Sequence, residues 1–337
     1  MSIMKCAKFI LSIVLVGSLT HGTLAKDSSS ASAADWLQRM NTAFAELDYD
    51  GVFSFISGSD ITSLRIIHMY ENGQQSERLV HLDGAPREIV RDGNKVLCIL
   101  RPEDELIALS SSIPSGPFAQ AFVRNFDDVG RNYELEMDGD DRMAGRAAVR
   151  MVVTPKDEHR YGYRLWLDKD TGLLLRSDLV DELTNKSLEV FQFNHLVTGS
   201  GVQRAALKSE QPNGAVIDHF ELADEAATKR GSGGDEWHAT WLPRGFEMAA
   251  IDIRRVSAST QEMNTLMYTD GLAAISVFIE ESHDDEEMGK MVARHGATVS
   301  VTEVVKGPKG SEHVITVVGE IPQQTASSIA ASVRFGN

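Results

Sequence analysis

Val52–Arg91 reads VFSFISGSDITSLRIIHMYENGQQSERLVHLDGAPREIVR, and its rhythm decides the fold. Four runs, Val52–Ile56, Leu64–Tyr70, Glu77–His81 and Glu88–Arg91, are separated by Ser57-Gly58-Ser59-Asp60, Asn72-Gly73 and Asp83-Gly84. Runs rich in β-branched and aromatic residues, bounded by Gly, Asn and Asp, predict strands. Strands joined by turns this short must pair antiparallel, because a parallel return needs a crossover of about a dozen residues or more.

The same rhythm reaches Val96–Leu100 and Leu106–Leu109, passes a helix-like interruption at Pro117–Phe126, and then resumes. The later runs are Tyr133–Met137, Ala147–Thr154, Tyr161–Leu167, Leu173–Leu179 and Leu188–Val197, with a hairpin turn at Asp168-Lys169-Asp170-Thr171-Gly172. Roughly ten or eleven antiparallel strands in one sheet predict strong curvature and one covered face. Upstream, Trp36, Leu37, Met40, Phe44 and Leu47 recur at helical spacing, which predicts an amphipathic helix over 33–47 with Ser32 or Asp35 as N-cap.

Lys208–Asp235 breaks the alternation with Pro212-Asn213-Gly214, an acidic stretch and Gly231-Ser232-Gly233-Gly234, the composition of a flexible connector. The chain therefore divides into a signal segment (1–25), a large domain (33–207), a linker (208–236) and a small domain (237–337). In the small domain, strand runs lie near Phe246–Arg254, Asn264–Thr269, Ala273–Glu280, Thr298–Val305 and His313–Glu320. A tight turn falls at Tyr268-Thr269-Asp270-Gly271, and a closing helix, Gln323–Val333, is entered through Pro322. The expected class is α+β: a large N-terminal antiparallel half-barrel with covering helices, plus a smaller C-terminal α+β domain.

The first residues fix where such a chain works. Lys5 and Lys8 precede an apolar run of 11 residues, Phe9–Leu19, and Thr23-Leu24-Ala25 places small residues before a cleavage point. That is the layout of a secretory signal peptide cleaved near Ala25, since a spanning helix needs about 20 apolar residues. The formal net charge is −16, and −18 once the segment's two lysines are removed, a balance that repels nucleic acid. The mature chain keeps one cysteine, Cys98, and so has no internal disulfide. A disulfide-free exported chain of this size points to a Gram-negative periplasm.

No Gly-x-Ser-x-Gly elbow, His-Glu-x-x-His, Cys-x-x-Cys or glycine-rich dinucleotide turn is present, so no enzyme activity, cofactor or metal is expected. His283-Asp284-Asp285-Glu286-Glu287 reads as a solvated acidic turn, and Cys98 as a small buried hydrophobe. Arg65, Arg78, Arg87 and Arg91 recur on consecutive strands. They would either line one rim and hold an anionic head group or face solvent as strand alternates. Beneath the covering helix, Phe53, Phe55, Ile66, Trp166, Phe191 and Phe193 are the candidates to line a cavity for lipid chains. The same spacing also describes a packed core.

Several segments resemble a known family. Asp48–Phe55 (DYDGVFSF), Arg65–His68 (RIIH), Glu77–Val90 (ERLVHLDGAPREIV) and Tyr163–Arg176 (YRLWLDKDTGLLLR) resemble the N-terminal domain of the RseB/MucB family. Trp241–Phe246 (WLPRGF) and Met267–Ile279 (MYTDGLAAISVFI) resemble its C-terminal domain. The resemblance implies a periplasmic negative regulator of the sigma-E (AlgU-type) envelope stress response, with a large domain similar to the lipoprotein carriers LolA and LolB. Such a regulator binds the periplasmic domain of a transmembrane anti-sigma factor (RseA- or MucA-like) and shields it from a DegS-type site-1 protease. Lipopolysaccharide or lipoprotein acyl chains are implied as the signal that relieves the grip, and a homodimer is left open. Trp241, Leu242, Phe246, Tyr268 and Leu272 are the expected anchors for the anti-sigma factor, because large aromatic side chains dominate many interfaces; taken singly, Trp241 and Phe246 fit equally well as seals of the small domain's core. The alternative is a periplasmic lipid or lipoprotein carrier, against which the second domain argues.

Overall fold

The computed structural model describes residues 31–84, 86–93, 95–100, 129–209, 215–221, 237–255, 262–282 and 290–336, with the backbone alone for 95–100, 215–221, 250–255, 262–263 and 309. The segment expected to be a signal peptide cleaved near Ala25, Leu106–Leu109, Pro117–Phe126, Gly231–Gly234 and His283–Glu287 lie outside the described residues, as does the side chain of Cys98. Residues 32–337 form one compact unit.

Helix α1 (Ala33–Glu46) begins at Ser32, which is the cap, with Asp35 at the third helical position. The Asp35 amide donates to the Ser32 hydroxyl at 3.2 Å, and the Ser32 amide donates back to the Asp35 carboxylate at 2.8 Å. These bonds satisfy amides that the helix itself leaves orphaned and hold the Asp35 carboxyl below its usual range. Trp36, Leu37, Met40 and Ala43 share the buried face.

The large sheet contains β1 (Tyr49–Ser57), β2 (Asp60–Glu71), β3 (Gln74–His81), β4 (Glu88–Asp92), β5 (Lys95–Leu100), β6 (Tyr133–Met143), β7 (Arg146–Pro155), β8 (Gly162–Asp168), β9 (Leu174–Asp181), β10 (Lys186–Thr198) and β11 (Ala215–Glu221). Its order is β11-β5-β4-β3-β2-β1-β10-β9-β8-β7-β6, antiparallel throughout. The chain starts at the centre with β1, meanders to one side, restarts at the opposite edge with β6 and returns to pair β10 with β1. Asn72 and Gly73, with φ of 54° and 81°, supply the tight turn between β2 and β3.

Helix α1 packs on β2 and also on β6, six positions apart in the sheet. Six flat spacings would cover about 29 Å, more than the length of about 21 Å expected for this helix. The sheet therefore curls around α1 as an open half-barrel. Strand alternation assigns its faces. Tyr49, His68 and Glu77 stand opposite one another on the inner face, where His68 Nδ1 lies 2.9 Å from the Leu47 carbonyl and Gln75 donates to Ala45 at 3.1 Å. Phe53, opposite Phe193 in the register, continues this face.

The arginines do not share a rim. Arg65 and Arg78 alternate to the outer face, and Arg91 lies opposite Glu77 on the inner one. Arg65 pairs with Asp50 at 2.7 Å. Arg78 forms a buried bidentate pair with Glu88, both side chains 2% exposed. It also donates to the Ala206 carbonyl at 3.0 Å, which pins the 3₁₀ turn Arg204–Leu207 onto the outer face. The linker expected over 208–236 is shorter than its composition suggests, because β11 arises within it and adds to the sheet beside β5.

The C-terminal sheet has the order β13-β14-β15-β18-β17-β16. Its strands are β13 (Glu247–Arg255), β14 (Glu262–Thr269), β15 (Ala274–Glu281), β16 (Met291–His295), β17 (Thr298–Lys306) and β18 (Glu312–Gly319). Two short strands, β12 (Trp237–Ala239) and β19 (Val333–Phe335), pair beside it. Helix α2 (Gln323–Ser332), capped by Pro322 itself, closes the core. Ile329, Ala326 and Ala330 pack there against Ile275, Val277 and Ile315.

Candidate partner interface at the junction of the two sheets

The two sheets meet through buried polar chemistry centred on Arg160, which follows β7, and Asp270, in the turn after β14. Their side chains are both fully buried and contact at 2.5 Å. The Arg160 guanidinium also donates to both carboxylate oxygens of Asp157 at 3.0 Å and to the Arg244 carbonyl at 2.6 Å. Asp270 in turn accepts the Tyr133 hydroxyl at 2.9 Å and the amides of Leu272 and Ala273 at 3.0 and 2.8 Å. A buried carboxylate is tolerated only with such a full set of donors. Burial, reinforced by Asp270, pushes the Tyr133 phenol well above its ordinary pKa, so it stays a donor.

Both motif segments read from the sequence converge here. Phe246 is buried with the Arg160 guanidinium 5.1 Å above its ring. Gly245, with φ of +87°, lies so close to Asn132 that a Cβ there would come within 2.1 Å of its amide. Leu272 is buried, and its carbonyl accepts the Tyr163 hydroxyl at 3.4 Å. Tyr268 is 3% exposed inside the small core, where its hydroxyl accepts the Ala239 amide at 3.4 Å. Of the five expected partner anchors, Phe246, Tyr268 and Leu272 are thus enclosed by the chain itself, and Leu242 is half-buried against the small core. Trp241 alone stays substantially open, at 38% exposure.

Trp241 stands in a cleft of about 410 Å3 whose walls come from the segments flanking β7 and β6 on one side and from the loop between β12 and β13 on the other, among them Arg131, Lys156, Asp157, His159 and Arg244. Its ring meets His159 edge-on at 5.4 Å, and His159 Nδ1 lies 3.3 Å from the Thr325 hydroxyl of α2.

A second contact also crosses the junction. Glu189 of β10 accepts the Ser57 hydroxyl at 3.0 Å and the Ala297 amide at 3.1 Å. Gly296, with φ of +57°, presses so close that a Cβ would sit 2.1 Å from the Ser57 oxygen. Glu320, just past β18, faces the same region. Burial and the nearby Glu189 charge push its carboxyl up to about 8, and burial raises Glu189 as well. Sequence reasoning missed Arg160, Asp270, Glu189 and Glu320; only Asp270 carried a signal, as a turn residue before Gly271.

The lipid-cavity candidates divide. Phe53, Phe191 and Phe193 form one inner-face cluster, with centroids 4.8, 5.0 and 5.8 Å apart. Gly51 leaves room for it, since a Cβ there would meet the Phe193 ring at 2.4 Å. Phe55 and Ile66 share that face, half-buried, by register. Trp166 lies on the outer face, because it alternates with the buried Leu165. Its Nε1 donates to Asp141 at 2.9 Å, and Arg176 lies 4.8 Å over its ring. Among the described residues no group of His, Cys, Asp and Glu could hold a metal, and no helix is long and apolar enough to cross a membrane.

Residues 32–211 match the family model of the MucB/RseB N-terminal domain, and residues 232–334 that of the MucB/RseB C-terminal domain. The chain belongs to the MucB/RseB family. Sigma factor AlgU regulatory protein MucB of Pseudomonas aeruginosa is 35% identical over 325 residues, 96% of each chain. Sigma-E factor regulatory protein RseB of Escherichia coli is 28% identical over 336 residues, 99% of each. The solved Pseudomonas aeruginosa MucA/MucB complex matches with a TM-score of 0.72 at 31% identity, covering 90% of this chain and 99% of that one. A structure of MucB itself matches with a TM-score of 0.66 at 30% identity, covering 91% and 99%. The WLPRGF and YTDGL motifs of this MucB/RseB chain are therefore junction motifs: one supplies Gly245 and Phe246, the other Asp270 and Leu272.

Proposed function

We propose that this chain is a periplasmic regulator that binds the periplasmic domain of a transmembrane, MucA- or RseA-like anti-sigma factor and shields it sterically from site-1 proteolysis. The observation that carries this reading is its likeness to MucB solved in complex with MucA(peri), with a TM-score of 0.70 and 32% identity over 90% of the chain. The regulator makes and breaks no bond. It is exported by the segment 1–25, cleaved near Ala25, and works by occupancy.

Lipopolysaccharide or lipoprotein acyl chains relieve the shielding. Their seat is the inner face beneath α1, where chains replace the contacts of Phe53, Phe55, Ile66, Phe191 and Phe193. A lipid that favours a conformation with poor partner affinity must be expelled by the partner to the same degree, because the coupling is reciprocal. Calorimetric titration of the purified chain with its cognate anti-sigma periplasmic fragment, with and without lipopolysaccharide, tests the scheme. Saturable binding weakened by lipopolysaccharide supports it. Lipid binding without any affinity for the fragment would instead make the chain a carrier.

A further inference from the structure

The cleft around Trp241 reverses the sign of the molecule. Arg131, Lys156 and Arg244 line it against one carboxylate, Asp157, on a chain of formal net charge −16. Asp157 is already held by the Arg160 guanidinium, so what the cleft presents outward is positive. Lys156 is anchored at its wall by a bond of 2.7 Å to the Gly130 carbonyl. Trp241 is fixed by His159, itself tied to α2. A large aromatic side chain that is exposed yet already held in place loses little freedom on binding, which is what an interface anchor requires.

We propose that this cleft seats an acidic peptide segment of the protein partner, laying an apolar side chain on Trp241 and pairing carboxylates with Lys156 and Arg244. The assignment rests on the proposed function and gives it a place. A peptide fits better than a lipid, because among the described residues Trp241, Leu242 and Pro243 are the only apolar side chains in the lining and cannot bury acyl chains. Because the walls come from connecting segments of both domains, the segment grips both at once, and its affinity depends on the junction being closed. Lipid seated beneath α1, on the large sheet alone, therefore acts on the partner through the junction rather than by competing for the cleft.

The test is calorimetry of the mature chain with the periplasmic fragment of its cognate anti-sigma factor, at low and at raised salt. Lys156 and Arg244 are exposed, so the double reversal K156E/R244E keeps the fold, which its unfolding midpoint verifies. W241A and K156E/R244E are each expected to weaken binding at least about tenfold, and wild-type affinity is expected to fall with salt. Acidic-to-basic changes in the fragment should restore binding to K156E/R244E but not to W241A. If the wild type binds and both variants bind equally well, the cleft assignment is wrong while the proposed function stands. If the wild type does not bind at all, both fall. Unchanged fragment affinity with lost binding to phosphatidylglycerol vesicles would make the cleft a head-group site and overturn the assignment.

Discussion

Replacing Asp270 by Asn removes one charge from the junction and leaves its shape. Oδ1 of Asp270 accepts the Leu272 and Ala273 amides, and Oδ2 accepts Tyr133 and Arg160. An amide offers a single oxygen. If that oxygen serves the turn, the NH2 confronts the Arg160 Nη1 donor at 2.5 Å; if the amide flips, the turn loses its acceptor. Both Asp270 and Arg160 side chains are 0% exposed, and breaking a buried pair from one side typically costs roughly 3–5 kcal/mol. The control is D157N, at the other end of the same guanidinium. The Asp157 side chain is 31% exposed, water replaces part of what is lost, and the cost should be at most about 1 kcal/mol. Urea unfolding of the three proteins gives both values from midpoints at equal slope. A D270N cost below about 1 kcal/mol, or a D157N cost as large as that of D270N, would refute the hub.

Other consequences follow from the same contacts. In the folded junction Glu320 holds a proton up to about pH 8, against 4.5 for a free carboxyl. Its stabilisation is therefore complete below about pH 4.5 and is lost as pH rises through about 8. Unfolding midpoints should fall between about pH 5 and about pH 9, and E320Q should flatten that slope. G296A forces a Cβ onto Ser57 and Glu189 and should speed hydrogen exchange at the Ala297 amide, while V292A on the exposed edge strand should not. I329A, in the fully buried heart of the small core, should cost about 2–5 kcal/mol in urea unfolding.

The large sheet was legible because its alternation and its Gly-rich turns are local. Asn72-Gly73 and Asp168–Gly172 announce hairpins whatever else the chain does. The strands that escaped notice depend on their surroundings. β11 is an edge strand whose partner, β5, lies more than a hundred residues earlier in the chain. β16 is exposed at all five positions and so has no inside-outside rhythm, and β12 and β19 have three residues each. The motif aromatics were visible but their partners were not. A sequence marks Phe246 and Leu272 as side chains seeking burial, and says nothing of whether the burying surface is another protein or the chain's own second sheet. Glu189 and Glu320 sit more than a hundred residues apart and meet only when both sheets have folded.

The central claim is that this MucB/RseB chain shields a partner, and proteolysis of the cognate anti-sigma periplasmic domain by its site-1 protease tests it most directly. The cleavage rate is measured with the domain alone, with the mature chain added, and with chain and lipopolysaccharide together. The account predicts that the chain slows cleavage in proportion to occupancy and that lipopolysaccharide restores the rate. Cleavage at an unchanged rate under saturating chain would contradict it.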